Sequence, residues 1–374
     1  MAENLTVKTE RVDDIPVLLA QTERMGLSEL IDKHFEPHGN WKGTSMGTTV
    51  CVWLAHILSE GDHRLNQVED WVAQRLEALS IATGQTVRSL EWSDDRLGIV
   101  LDTLSDDKRW VEFEADLSQR LIRVYALQPG LIRLDSTTAS GHWTVTEDGL
   151  FQFGHSKDHR SDLPQVKVMV ATLDPMGAPL AVQVLSGERA DAPLYIPAIR
   201  QVHSSLQTHG LLYVGDCKMA ALDTRAFVQA QGDYYLCPLS KTQMPDEELE
   251  KLLKPVWDQE QPVSEIYRDN EEGQREKIAE GYEVTVSLTG TGDGRHVVWD
   301  ERRLVIRSLT QAQATEAALR TRLDKALLEL SALNEHKKGK KRFTDKAEVQ
   351  QAVDAVLRQR RVTIAARQRP PKHR

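Results

Sequence analysis

Apolar residues recur at three- and four-residue spacing along the first 125 residues of the chain. The pattern is clearest in the segments VDDIPVLLAQTERMGLSELIDKHF, TTVCVWLAHILSE and RWVEFEADLSQRLIRVYAL. This spacing is typical of amphipathic helices, and glycines between the first two segments separate one helix from the next. We therefore predict an N-terminal helical domain over residues 1–125.

The pattern changes after Gly130 to short apolar runs rich in Val, Leu, Ile and Tyr, which predict five strands. These runs are LIRLD, PQVKVMVATLD, PLAVQVLSG, GLLYVGD and DYYLCPLS. Helix-length segments separate the third run from the fourth and the fourth from the fifth. Three successive strands followed by alternating helices and strands indicate an α/β domain over residues 126–241, with a mixed sheet covered by helices.

The pattern changes again after Lys241. The polar, proline-containing segment KTQMPDEELEKLLKPVWDQEQPV predicts a break, and the strand-like runs EGYEVTVSLTG and HVVWDERRLVIRSL are joined by a turn in TGDGR. We predict a β-rich insertion outside the main sheet over residues 242–310. The segments QAQATEAALRTRLDKALLELSAL and DKAEVQQAVDAVLRQRR, with KKGKKR between them, predict a helical segment with a basic tail over residues 311–374.

Composition narrows the class of protein. Hydrophobic residues make up 40% of the 374, and no apolar run is long enough to span a bilayer. The first residues, MAENLTVKTERVDD, are too polar for a signal peptide. The 3 cysteines are too few and too scattered for a disulfide framework or a zinc cluster. We expect a cytoplasmic protein without membrane contact.

Charge is distributed unevenly. The formal net charge is −9, which argues against a general nucleic-acid binder, but residues 337–374 contain 13 Lys or Arg against 3 Asp or Glu. A basic segment on an acidic body can contact phosphates locally. A solvated tail is an equally good interpretation of this segment.

Two aspartates follow apolar runs in the same way. Asp135 comes after LIRL and before small hydroxylated residues, and Asp216 comes after LLYVG with a helix-length segment beyond it. One interpretation is that such residues cap turns. The other is that the two carboxylates lie side by side on neighbouring strands, where their repulsion would be relieved by a divalent ion such as Mg²⁺. Two such ions would activate a water and stabilise the leaving oxygen of a phosphodiester.

The central part of the chain resembles the core of insertion-sequence DDE transposases, in the subgroup with a β-rich insertion domain. The similar segments are RLDSTTASG, FGHSKDHRSDLPQVKV, LDPMGAPLAVQVLSGERAD, LLYVGDCKMAALDTRAFVQAQGDYYLCPL and DERRLVIRSLTQAQATEAALRTRLDKALLEL. The resemblance extends over most of the chain, including its helical start.

This resemblance implies an RNase H-like fold with Asp135 and Asp216 as the first and second catalytic, metal-binding aspartates. It also implies Mg²⁺ or Mn²⁺ as cofactor, and terminal inverted repeats and target DNA as partners. We expect the chain to form a homo-oligomer on DNA. We also expect it in the bacterial cytoplasm, associated with the nucleoid when it is bound to DNA. Residues that are candidates for DNA contact or for ordering the site are Lys157, Asp158, Arg160, Asp162 and Lys218.

The third acidic residue of the family is a glutamate in the pattern Y-x₂-R-x₃-E-x₆-K, and this pattern is absent from the sequence. Glu329 has a lysine four residues before it but lacks the other positions. We therefore expect an inactive copy, truncated before that glutamate. The alternatives are a non-catalytic DNA-binding remnant, which occupies element ends or associates with a full-length transposase, and a different nuclease on the same fold. The helical start and the β insertion argue against the last.

Overall fold

The computed structural model describes residues 7, 9–37, 39–334, 343 and 345–363. These residues form two compact units, one drawn from residues 1–245 and 289–299 and the other from 246–288 and 300–374. The first unit begins with the predicted helices. They are α1 (Ile15–Met25), α2 (Leu27–His34), α3 (Met46–Glu60), α4 (Val68–Ala73), α5 (Leu76–Thr83), α6 (Asp94–Leu104) and α7 (Asp107–Val124), with 3₁₀ turns at Leu65–Gln67 and Ser89–Trp92.

The core of this helical part is built around α3. Ser45 caps the helix by accepting a hydrogen bond from the Thr48 N–H at 3.2 Å. Most of α3 is buried, so its sequence is apolar or small almost all round. Trp92 is fully buried against it, and its indole N–H donates to the Thr49 carbonyl at 3.0 Å. The polar atom of the largest core side chain is therefore satisfied.

A five-stranded mixed sheet follows. Its strands are β1 (Leu131–Ser140), β2 (Gln165–Leu173), β3 (Ala178–Ser186), β4 (Leu212–Val214) and β5 (Tyr234–Leu236), in the order β3-β2-β1-β4-β5. The first three strands are antiparallel, whereas β4 is parallel to β1 and β5 is parallel to β4. Connecting elements are a 3₁₀ turn (Ala192–Leu194), α8 (Tyr195–Leu206) and α9 (Leu222–Ala230). This is an RNase H-like sheet, as expected from the sequence.

Helix α7 packs along the edge of this sheet that is formed by β3. Strand β3 is an edge strand, and edge strands carry unpaired backbone groups that need partners. The buried Glu114 carboxylate accepts a hydrogen bond from the Val182 N–H at 2.9 Å, and the Ser118 hydroxyl donates to the Leu180 carbonyl at 3.4 Å. The helix therefore protects β3 from pairing with another chain.

A second sheet comprises β6 (Ser264–Asp269), β7 (Arg275–Gly292) and β8 (Arg295–Ser308), and helix α10 (Asp246–Trp257) precedes it. The strands predicted at VTVSLTG and RLVIRSL lie in this sheet and not in the RNase H-like one. The turn predicted in TGDGR is a two-residue turn, with positive φ at Asp293 (51°) and Gly294 (75°) as such hairpins require. The prediction of a break over KTQMPDEELEKLLKPVWDQEQPV was wrong for its middle part, because that part forms α10, with Pro255 in the last turn of the helix.

The two predicted C-terminal helices are α11 (Leu309–Leu333) and α12 (Lys346–Arg360). The basic segment KKGKKR and the final AARQRPPKHR lie outside the described residues. Among the helices that the structure describes, none combines the length and apolar character needed to cross a bilayer. The domain boundaries given above, at residues 125, 241 and 310, stay predictions.

Candidate active site

Asp135 lies in β1, and Asp216 lies two residues after the neighbouring strand β4. Strands β1 and β4 run parallel, with Leu131 opposite Leu212 and Arg133 opposite Val214. Asp135 and Asp216 each lie two residues beyond the last of these pairs, and the negative charges of both act on the Tyr195 hydroxyl. Both carboxylates therefore lie near the carboxyl end of β4, here called the carboxylate edge, and α/β proteins usually build their sites at such strand ends.

The prediction that Asp135 ends its strand was wrong. Strand β1 continues to Ser140, because residues 136–140 stay paired with β2, from Ser136 opposite Met169 to Ser140 opposite Gln165. Asp135 also caps no helix or turn, since its Oδ1 accepts a hydrogen bond from the N–H of the next residue in the strand, at 2.8 Å. The aspartate therefore projects from the middle of a strand, on the exposed face.

Lys157 is the loop residue that reaches Asp135. Its ammonium lies 3.3 Å from Asp135 Oδ1 and also donates to the Ser136 carbonyl. Its backbone N–H donates to Thr138 Oγ1 at 3.2 Å, which fixes the loop to β1. The Asp135 side chain remains 79% exposed, so the ion pair leaves the carboxylate open to solvent.

Asp216 is held more firmly. It follows β4 after one glycine, and its Oδ1 accepts hydrogen bonds from the Tyr195 hydroxyl at 2.6 Å and from the Lys218 N–H at 2.8 Å. Tyr195 is buried at the start of α8. Burial, the hydrogen bond to Asp216 and the negative charges of Asp216, Asp135 and Asp191 all raise the pKa of Tyr195, so its hydroxyl stays a donor. Three carboxylates therefore act on one phenol.

Asp191 and Lys167 belong to this cluster and were missed by the sequence analysis. The Lys167 ammonium lies 2.7 Å from Asp191 Oδ1, and the Ser136 hydroxyl donates to the same oxygen at 3.2 Å. Burial acts to raise the pKa of Asp191, but the hydrogen bond and charge of Lys167 outweigh it and hold this pKa below its usual value. The sequence did contain a signal for Lys167, because this lysine shares the buried face of β2 with Met169 and Ala171, and a buried lysine needs an acidic partner.

The other candidate residues lie on the loop from 141 to 164 or beside Asp216. Arg160 and Asp162 pair with each other at 2.8 Å, and the Arg160 hydrogen bonds lower the pKa of Asp162 to about 2. The Asp158 N–H donates to Ser156 Oγ at 3.2 Å. Lys218 contributes its backbone N–H to the site, and its side chain is exposed. Among these residues, then, only the Lys218 backbone has a described contact with a site carboxylate.

The same loop carries an aromatic surface. Trp143 stacks on Phe151 with ring centroids 4.3 Å apart and an interplanar angle of 28°. Trp143 remains partly exposed and Phe153 is largely exposed. This loop begins after Ser140, the last residue of β1, so the aromatic surface follows Asp135 closely in the chain.

Comparisons with known proteins give only distant similarities. Residues 7–111 match a family model described as a domain of unknown function, DUF4277. No curated protein matches the chain.

The structural neighbours are transposases. A piggyBac transposase synaptic complex with hairpin DNA shares 11% identity over 71% of this chain and 58% of that chain, with a TM-score of 0.33. The chain thus spans little more than half of the piggyBac transposase. A Mos1 transposase paired-end complex with left transposon end shares 12% identity over 67% of this chain and 84% of that chain, with a TM-score of 0.22. Similarities with TM-scores this low do not identify the chemistry of the site.

Proposed function

We propose that this chain carries a DDE-transposase-type site for metal-dependent cleavage and transfer of DNA strands, with Asp135 and Asp216 as the metal ligands. The observation that carries the proposal is the parallel pairing of β1 with β4, which puts Asp135 in one strand and Asp216 just after its neighbour, so that both carboxylates act on the Tyr195 hydroxyl. The resemblance of the surrounding sequence to insertion-sequence transposases supports it.

The donor atoms suit Mg²⁺ or Mn²⁺. Both ligands are exposed carboxylates, and all described hydrogen bonds to Asp135 and Asp216 end on Oδ1, which leaves each Oδ2 for an ion. Hard divalent ions prefer oxygen ligands and keep several waters, so an exposed pair of carboxylates is an adequate site. When bound there, such ions activate the attacking oxygen and stabilise the leaving one.

The chain's own residues position this site. Tyr195 and the Lys218 N–H fix one oxygen of Asp216, so the other faces outward. The exposed ammonium of Lys157 is placed to bind a phosphate oxygen that enters beside Asp135. The stacked rings of the 141–164 loop offer a surface for unpaired bases, because aromatic side chains stack on bases of any sequence.

We further propose that the chain does not complete cleavage by itself. A third carboxylate normally completes the metal site, and its motif is absent from the sequence. Asp191 is the nearest substitute, but Lys167 and Ser136 both bind its Oδ1 and its side chain is only 19% exposed. The second candidate function therefore follows from the same observation: the chain is a DNA-binding remnant that occupies element ends or associates with a full-length transposase.

The metal site is tested by titrating Mn²⁺ into the purified chain and measuring free ion by electron paramagnetic resonance. We expect weak binding, with a Kd at least about tenfold higher in Asp135→Asn and in Asp216→Asn, since each variant removes one of the two proposed carboxylate ligands. Asp158→Asn is the matched control, because it removes an exposed aspartate from the adjacent loop. Equal binding by Asp135→Asn and Asp158→Asn would remove the proposed site.

Catalysis is tested separately with supercoiled plasmid and Mg²⁺ or Mn²⁺. We expect no nicking above that of the Asp135→Asn variant. Nicking that is lost in Asp135→Asn would support the site but overturn the proposal of inactivity, because some other residue must then supply the third carboxylate.

DNA binding is tested by gel shift with duplex and single-stranded probes over a range of salt concentrations. If Lys157 binds phosphate, Lys157→Met should weaken binding several-fold and reduce the salt-dependence slope by about 0.9 on duplex DNA. Lys254→Met is the control, since it removes an exposed lysine from α10. Equal slopes for the two variants would exclude a phosphate contact at Lys157.

A further inference from the structure

A second cluster of ligand-type side chains lies at the opposite end of β4 and β5 from the carboxylate edge. His203 is in the last turn of α8, His209 is in the loop that leads to β4, and Asp233 immediately precedes β5. One nitrogen from each imidazole and one carboxylate oxygen all lie within 4.8 Å of one another. The three residues are spread over 31 positions of sequence and meet because α8, β4 and β5 pack together.

The carboxylate of this cluster is buried. The Asp233 side chain has 0% exposure, and its Oδ2 lies 2.6 Å from His203 Nε2. Its Oδ1 accepts a hydrogen bond from the Leu211 N–H at 2.9 Å. The His209 ring, which is exposed, lies edge-on to His203 with centroids 5.3 Å apart. A buried carboxylate requires a charged partner, and the cluster gathers two imidazoles beside it.

A buried hydroxyl beside the cluster also lacks a partner. Tyr213 has 0% exposure, and within the part of the chain that the structure describes its Oη makes no hydrogen bond. Its ring lies 6.0 Å from that of His203. Burial, followed by the charge of Asp233, raises the pKa of Tyr213, so the hydroxyl stays protonated. Buried donors are rarely left unpaired, and such an orphan indicates an absent water or ion.

We propose that His203, His209 and Asp233 bind a divalent transition-metal ion, for which zinc is the best fit, and that the Tyr213 hydroxyl hydrogen-bonds to a water on that ion. Two imidazole nitrogens and one carboxylate oxygen are common zinc ligands, and three protein ligands leave a fourth position for water. The unpartnered hydroxyl is explained by that water. This inference does not rest on the proposed function, because the cluster lies away from Asp135 and Asp216.

The geometry requires only small adjustments. Two ligand atoms about 2.1 Å from one ion in tetrahedral geometry lie about 3.4 Å apart, so donors that already lie within 4.8 Å of one another need shifts on the order of 1 Å or less. His209 is exposed on a loop and is the residue that can move. His203 and Asp233 would separate slightly as the ion takes the place of the proton between them. Bound in this way, the ion would fix the end of α8 to the beginnings of β4 and β5.

The test uses the full chain, stripped of metal with a chelator and titrated with Co²⁺ as a spectroscopic probe for zinc. We expect visible absorption typical of tetrahedral Co²⁺, displaced by Zn²⁺ and not by Mg²⁺. His209→Ala should raise the Kd for Co²⁺ at least about tenfold, because it removes one of three ligands. Its side chain is exposed, so the variant is expected to fold.

Two controls make the result specific. His155→Ala with His159→Ala removes a pair of exposed histidines from the 141–164 loop and should leave the Co²⁺ spectrum unchanged. Asp135→Asn should also leave it unchanged, which separates this site from the proposed catalytic one. Tyr213→Phe should retain binding but shift the spectrum, since it removes the hydrogen bond to the water ligand. Absence of Co²⁺ absorption, or equal binding by His209→Ala and the wild type, would overturn the proposal.

Discussion

Lys167→Met is expected to lower the free energy of unfolding by about 3 kcal/mol at neutral pH, because it removes the ammonium that hydrogen-bonds to the largely buried carboxylate of Asp191. Lys167 is 5% exposed and its ammonium donates to Asp191 Oδ1 at 2.7 Å and to the Arg189 carbonyl at 2.5 Å. Methionine preserves the apolar stem but offers no charge. Urea denaturation followed by circular dichroism measures the loss.

Lys157→Met is the matched control. Both lysines pair with an aspartate of the same cluster, but the Lys157 side chain is 38% exposed and that of Asp135 is 79% exposed, and exposed pairs contribute at most about 1 kcal/mol. Lys167→Met combined with Asp191→Asn should recover part of the loss, because the uncompensated charge is removed. Equal destabilisation by the two lysine variants would show that Asp191 is well solvated and that Lys167 does not support it.

The effect of pH gives a second check of the same pair. The pKa of Asp191 is held below its usual value in the folded protein. A lowered pKa contributes stability that is present above the unfolded value, near 3.9, and is lost as the pH falls through the folded value. The difference in the free energy of unfolding between wild type and Lys167→Met should therefore be largest at neutral pH and should decrease in acid.

Short apolar runs were sufficient to predict the five strands of the main sheet, but not the length of each strand. The prediction ended β1 at Asp135 because STTAS looks like a turn. In the structure Ser136 and Thr138 occupy buried positions and the segment stays paired with β2. The extent of β1 is therefore set by its partner strand, which local composition does not report. Strand β6 was not predicted at all, because it is a mostly exposed edge strand whose polar residues give no apolar pattern.

The candidate site was predictable only where each strand carries its own signal. An apolar run followed by an aspartate marked Asp135 and Asp216, and the prediction that their strands are neighbours depended on this matched pattern and on the resemblance to DDE transposases. Tyr195 was not predictable, because it looks like an ordinary apolar position at the start of a helix. The metal-type cluster of His203, His209 and Asp233 had no sequence signature either, since its members come from three separate elements.

Glu114→Gln is expected to remove a pH dependence of stability worth about 3 kcal/mol. Burial raises the pKa of Glu114 from 4.5 to about 7, against the opposing hydrogen bonds from the Val182 N–H and the Gln201 side chain. Each unit of pKa difference corresponds to about 1.4 kcal/mol. In the unfolded chain the carboxyl ionises at its usual value, so the folded protein holds a proton there that the unfolded chain has lost.

The sign follows from that proton. Stability contributed by protonated Glu114 is complete below the unfolded pKa and decreases as the pH rises to about 7, above which the folded protein must carry a buried anion. Glutamine cannot ionise and still offers an oxygen to the Val182 N–H, so Glu114→Gln should match the wild type near pH 5 and exceed it near pH 8. Urea denaturation across this range, relative to wild type, isolates the effect from other titrating groups. Glu112→Gln, an exposed neighbour on α7, should retain the slope of the wild type. If Glu114→Gln retained that slope as well, the carboxylate would be solvated in the folded protein, and α7 would hold the edge of β3 by an ordinary surface contact.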